Sequence, residues 1–150
     1  MAMPAIASFT VQRVEWDARR ADLHFVRRAV FIEEQSVPEN LEWDDEDERS
    51  RHVLAIDPDG APIGTGRLKS DCHIGRMAVL KGWRGRGVGD AILRTLVEIA
   101  RNDGCSTVRL HAQTHAIGFY ARCGFIAVGP EFTEAGIPHR IMELPLVSAR

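Results

Sequence analysis

The chain has 150 residues, 45% of them hydrophobic and 27% charged, with a formal net charge of -2. That is enough for one domain with a real core, and it lacks the basic excess that would favour nucleic acid or an anionic membrane. No apolar run reaches bilayer length, and Met1 to Thr10 has no basic region followed by a sustained apolar stretch, so neither a membrane span nor a signal peptide is expected.

Phe9 to Glu15 alternates apolar and polar residues and predicts a first strand. Asp17 is expected to cap a helix running to about Glu34, with Leu23, Val26, Ala29, Val30 and Glu33 at helical spacing. Ser36 to Arg51 is polar, holds Pro38 and the acidic run Asp44 to Glu48, and reads as a solvated loop or short helix. His52 to Asp57 and Pro62 to Lys69 form a hairpin across the turn Pro58-Asp59-Gly60. In the next strand, His73 to Leu80, the positions of Ile74, Met77 and Val79 break simple alternation, as a bulge would.

A glycine-rich turn, Lys81 to Gly87, then opens a helix to about Asp103, with Val88, Ile92, Leu96 and Ile99 on one face and Gly104 as the stop. Thr107 to His111 is a strand, His115 to Cys123 a short helix and Phe125 to Val128 a strand. Pro130 onward reads as a loop before a last strand, Arg140 to Leu144. This order predicts a single α/β (α+β) domain over residues 1–150 with a mixed sheet, not a doubly wound parallel one. Cys72, Cys105 and Cys123 stand far apart with no C-x-x-C pair, which argues for a reducing compartment, the cytoplasm, and against a disulfide framework.

Arg84-Gly85-Arg86-Gly87-Val88-Gly89 follows a strand and opens a helix. Glycines let backbone approach a ligand, and the unpaired N–H groups of a helix start attract anions. On local grounds this is either a phosphate site or a tight turn with solvated arginines. It is not a P-loop, because no Lys-Ser or Lys-Thr follows, nor a dinucleotide fingerprint, because position 90 is Asp. His111-x-x-x-His115 falls on a strand end and a helix start, so no metal site is expected.

The spacing Arg84-x-x-Gly87-x-Gly89 resembles the cofactor loop Arg/Gln-x-x-Gly-x-Gly/Ala of the GNAT superfamily of N-acetyltransferases. Ile74-Gly75-Arg76-Met77-Ala78-Val79 resembles that family's central strand. Gln113 to Phe125, with Ala116, Tyr120, Gly124 and Phe125, is similar to its N-x-x-A-x-x-x-Y-x-x-x-G-F segment. Val30 to Pro38, His52 and Phe132 to His139 resemble the ElaA-type subgroup, so the likeness covers nearly the whole chain.

The resemblance implies a mixed, mostly antiparallel central sheet flanked by helices and splayed at the central strand. It implies acetyl-CoA as acyl donor, with its pyrophosphate on Arg84, Gly85, Arg86, Gly87, Val88 and Gly89, with Asp90 following. Pantetheine would lie along Met77, Ala78 and Val79 and reach Gln113, which stands where the family more often has Asn. No enzyme nucleophile is implied. The amine would attack directly, and Tyr120, the one tyrosine in the chain, occupies the position of the family's general acid. The base stays open among Glu34, His52, His111 and His139, with His111 and Glu34 leading on position.

The expected acceptor is a small-molecule or peptide amine, with no nucleic acid, membrane or metal involved. The family often dimerises, which leaves a homodimer open. A non-catalytic acyl-CoA-binding or sensor module, and a nucleotide-phosphate binder of another fold, are the rival readings.

Overall fold

The computed structural model describes residues 8–146. Seven strands form one sheet: β1 (Thr10–Val14), β2 (Arg51–Ile56), β3 (Pro62–Leu68), β4 (His73–Val79), β5 (Thr107–Gln113), β6 (Ile126–Glu134) and β7 (Ile137–Pro145), in the order β1-β2-β3-β4-β5-β7-β6. Every neighbouring pair is antiparallel except β4 and β5. Helices α1 (Trp16–Arg27), α2 (Glu39–Glu42), α3 (Val88–Asn102) and α4 (Ile117–Arg122) flank it.

The two faces of the sheet follow from alternation. Val53, Ala55, Ile74, Val108, Leu110 and Ala112 point to α3, where Val88, Ile92, Leu96 and Ile99 complete the main core. The opposite face packs Leu54 against Trp16 and Leu23, and Ala78 against Val26 and Val30. A fully buried side chain of this size contributes about 1.5–3 kcal/mol, so these two faces carry most of the stabilisation.

The bulge expected in the fourth strand is present. Thr65 pairs with Ala78 and Arg67 with Gly75, so Arg76 and Met77 together face Gly66, and Arg76 takes a positive φ of 50°. A two-against-one bulge bends its strand. The β4–β5 pairing, meanwhile, consists of His73↔Arg109 and Ile74↔Leu110 alone. Past Ile74 and Leu110 the strands diverge, leaving an opening through the sheet between Gly75–Val79 and His111–Gln113.

Four expectations require correction. Glu15, not Asp17, holds the N-cap of α1, without a side-chain bond; Asp17 lies in the first turn and accepts a bond from Arg20 Nη2 at 3.0 Å. The helix does not stay α-helical to Glu34, because Arg28–Glu34 is a π-helix, closed by the Gln35 N–H donating to Val30 O five residues back. Pro130 onward is not a loop. β6 and β7 form a long hairpin, which the alternation pattern hides because β6 is a mostly exposed edge strand with a bulge between Val128 and Phe132. Pro130, which lacks an N–H, sits in that bulge.

The cysteine reading is the fourth. Cys72 and Cys105 are joined by a disulfide, and Cys123 is free. Their separation of 33 residues carries no pairing signal, and it is the parallel start of β4 and β5 that brings the two segments together. The Arg109 N–H donates to Cys72 O at 3.1 Å beside the bond.

Candidate active site

The opening is bordered at its wide end by the glycine-rich turn. Gly87, with φ of 86°, is the N-cap of α3, and no side chain caps the helix. A left-handed residue there turns the chain sharply from β4 into α3, so the first-turn N–H groups face outward with the positive end of the helix dipole. The Arg86 guanidinium stacks on Trp83, 4.9 Å from the ring centroid. Arg84 is differently engaged: it grips the Glu34 carboxylate with both Nη atoms, at 2.6 and 2.7 Å, and donates from Nε to Val79 O at 3.0 Å. Asp90 is held by Arg94 at 2.9 Å and by the Cys123 thiol at 3.6 Å.

The π-helix explains Arg84. Its wider turn brings Glu34 to the glycine loop and Gln35 to the end of β5. The Gln35 and Gln113 amides pair reciprocally, at 2.9 and 3.2 Å, and His115 Nε2 lies 2.7 Å from Gln113 Oε1. Arg84 and Gln113, both expected at the cofactor, are thus bound by Glu34 at the end of the π-helix and by its C-cap Gln35. The Arg84 hydrogen bonds also hold the Glu34 carboxyl below its usual range, which weakens it as a proton acceptor.

Tyr120 stands on the α3–α4 side of the sheet, its ring against Phe119 and Phe125. Its hydroxyl donates to Met77 Sδ at 3.9 Å, in the β4 bulge. Burial, with a smaller contribution from Cys123, pushes the phenol up to about 12. Met77 lies on the same side, whereas Ala78 turns to the other face.

His111 is the first β5 residue past the last β4 pair. Its neighbours Leu110 and Ala112 are buried in the main core, so its own side chain emerges on the face opposite Tyr120. His111 Nδ1 lies 3.1 and 3.3 Å from the two Glu134 carboxylate oxygens. Of the remaining base candidates, His52 lies away from the opening, whereas His139 pairs with Gln113 and so shares the His111 face. His52 is buried beside Trp16 with Nε2 2.7 Å from Asp47 O, and burial lowers its pKa. His139 is held with Nδ1 2.7 Å from Ile137 O.

The acidic run is only in part a solvated loop. Glu42 and Asp47 are buried, and Arg27 bonds both at 2.8 Å; Arg67 Nη1 bonds Asp44 and Asp47 at 2.8 and 3.0 Å. This network pins the 36–51 segment to the sheet. The partner arginines come from α1 and β3, so the run alone gave no sign of it. Among the described residues no group of three or more His, Cys, Asp or Glu side chains is arranged to hold a metal.

Two cavities, of about 590 and 480 Å³, lie beside α3–α4 and α1–β3, and neither is lined by Met77, His111 or Tyr120. The candidate site is the open cleft of the splayed sheet. A mixed sheet parted at its centre, with a glycine-rich helix start at one end of the gap, is the architecture expected of an acyl-CoA-dependent transferase. A family model described as an acetyltransferase (GNAT) domain matches residues 9–146, and the chain belongs to that family of acyl-CoA N-acyltransferases.

Among relatives, the chain is 41% identical to YyaT of Bacillus subtilis over 131 residues, covering 81% of this chain and 88% of that one. It is 34% identical to ElaA of Escherichia coli over 131 residues, with 83% and 86% covered. The crystal structure of Escherichia coli ElaA superposes with a TM-score of 0.80 at 28% identity, covering 91% and 99% of the two chains. An acyl-CoA N-acyltransferase from Pseudomonas aeruginosa superposes with 0.78 at 28% identity, covering 91% and 98%.

Proposed function

We propose that this acetyltransferase moves the acetyl group of acetyl-CoA to a primary amine by direct attack in a ternary complex. The observation that carries the reading is the β4–β5 opening, with the Tyr120 hydroxyl on one face and His111 on the other. The cleft can take a donor and an acceptor from opposite sides, and holding the two together supplies much of the rate gain. The backbone N–H groups of residues 84–89 suit the pyrophosphate, with Arg86 adding charge. Arg84 and Asp90 contribute by shaping the loop. Met77, Ala78 and Val79 suit the pantetheine arm, and Gln113 can reach it if it releases Gln35.

In this scheme His111 accepts the proton that the amine loses as its nitrogen bonds the thioester carbonyl carbon. An N–H of the splayed β4 stabilises the carbonyl oxygen as charge develops there. The C–S bond then breaks, and Tyr120 donates a hydrogen bond to the sulfur. A phenol at about 12 is protonated throughout the physiological range, so its role is that of a donor, with the net proton coming from solvent. Glu34 serves to hold Arg84. The cytoplasm suits a reaction that consumes acetyl-CoA, and there a disulfide is ordinarily reversible rather than permanent.

The test is CoA-thiol release with acetyl-CoA over a panel of polyamine, aminosugar, amino acid and lysine-peptide acceptors, on wild type and Tyr120→Phe. The expected outcome is turnover on at least one amine, reduced about 100-fold in the variant with acetyl-CoA affinity little changed. Tight acetyl-CoA binding without turnover on any amine would make the protein a binding or sensor module.

A further inference from the structure

Outside the residues already assigned, one group of polar side chains gathers at the opening. The strand register puts it there. Gln113 pairs with His139, and His139 with Phe132, so these three share a face. Stepping by two along each strand adds His111 on β5 and Glu134 on β6 to the same face. Glu134 is the last residue of β6, and the two-residue turn Ala135-Gly136 has φ of 51° and 76°. Positive φ at both positions is the hairpin geometry whose twist matches its strands, and Ala135 adopts it against its own steric preference. A strained, tight turn therefore fixes the residue that reaches back to His111.

We propose that Glu134 is a positioning residue for His111, selecting the tautomer in which Nδ1 carries the proton and Nε2 is left free as the base. The inference rests on the reading of His111 as base. Both Glu134 oxygens lie within 3.3 Å of Nδ1, and among the described residues Nε2 has no hydrogen-bond partner. An ionised carboxylate only accepts, so the ring nitrogen it faces must donate, and in the neutral imidazole the other nitrogen is then the lone-pair site. The ring is held from other sides too. Phe132 meets it edge-on at 5.1 Å and His73, from β4, at 6.0 Å. His139 stacks on Phe132 at 5.8 Å and brings Nε2 to 3.9 Å from Glu134. Without Glu134, imidazole reverts to its preferred solution tautomer, with the proton on Nε2, which would leave nothing on that nitrogen to accept the amine's proton.

Two measurements test this, and the first needs no acceptor. Long-range ¹H–¹⁵N correlation spectra of histidine-labelled protein, recorded where imidazole is neutral and assigned with His111→Gln, read the tautomer directly. Wild type is expected to show His111 protonated on Nδ1, and Glu134→Ala to show it protonated on Nε2. An Nε2–H tautomer in wild type, or no change in the variant, overturns the proposal.

The second uses the best amine of the acceptor panel. Glu134→Ala is expected to lower kcat roughly 10- to 100-fold, less than the loss on disabling the Asp of a buried triad, with KM for acetyl-CoA unchanged and partial recovery in Glu134→Asp. The pair His111→Ala and His111→Ala/Glu134→Ala should turn over equally. If Glu134→Ala still lowers kcat in the absence of His111, Glu134 acts by another route and the proposal fails. If the tautomer switches as expected while His111→Ala keeps full activity, the positioning contact stands and the assignment of His111 as base is what falls.

Discussion

Tyr120 is both the candidate donor and the one tyrosine of the chain, so its ionisation can be read without interference. Burial holds the phenol at about 12, against about 10 for tyrosine in water. Below pH 10 the hydroxyl is protonated folded or unfolded, and its effect on stability is constant. Between 10 and 12 the unfolded chain ionises first, so stability falls as pH rises, by about 2–3 kcal/mol over the interval at about 1.4 kcal/mol per unit. Following the tyrosinate absorbance in native protein should give a midpoint near 12, or global unfolding before it is reached. In denaturant the midpoint should return to about 10. A native midpoint near 10 would mean that the hydroxyl is solvated and that the Met77 contact does not form. Tyr120 was legible in the sequence from its motif. Its contact with Met77 was not, because the two residues are 43 apart in sequence and only the tertiary packing brings Met77 of the β4 bulge to α4.

At the scale of elements, the opening depends on how closely α3 lies over β3 and β4. Gly66 faces the β4 bulge, and a methyl group added there would come within 2.7 Å of Ile92 Cγ2 and of Leu96 Cδ1, both on α3. Gly66→Ala should therefore overpack the main core and cost about 1–3 kcal/mol, seen as a lower denaturant midpoint at unchanged m. Gly75, with nothing within 4 Å of the same added atom, supplies the control, and Gly75→Ala should stay within about 0.5 kcal/mol of wild type. Equal losses at both positions would show that the helix does not approach the sheet as described. The bulge was readable from sequence because Ile74, Met77 and Val79 fail to alternate. The π-helix was not, since seven residues at ordinary helical spacing look the same whether the ring closes at four residues or five. That one-residue difference directs Glu34 and Gln35 to Arg84 and Gln113, so two side chains that the resemblance gave to the cofactor each hold a protein partner in this structure.

Over the whole molecule, the order of elements disclosed the mixed sheet and local sequence the glycine-rich turn, while the splay was implied by the family resemblance. Contacts set by topology stayed hidden: the Arg27–Glu42–Asp47–Arg67 network, the Glu134–His111 contact, and the Cys72–Cys105 bond. The disulfide has the widest reach. It joins the start of β4 to the start of β5, directly behind the two residue pairs at which the opening closes. A cross-link restrains the unfolded chain, and for a loop of 33 residues chain entropy gives about 3–4 kcal/mol. Cys72→Ser, or reduction of wild type, should then lower Tm by roughly 10 °C for a chain of this size, whereas Cys123→Ser should leave it nearly unchanged. Thiol titration of unreduced, denatured protein should count one free thiol. Three free thiols, together with an unaltered Tm in Cys72→Ser, would show that the narrow end of the cleft is held by strand pairing alone. Acetyl-CoA affinity measured on the same variants separates stability from function: if the bond sets the width of the opening, Cys72→Ser weakens donor binding even at temperatures where the variant is fully folded.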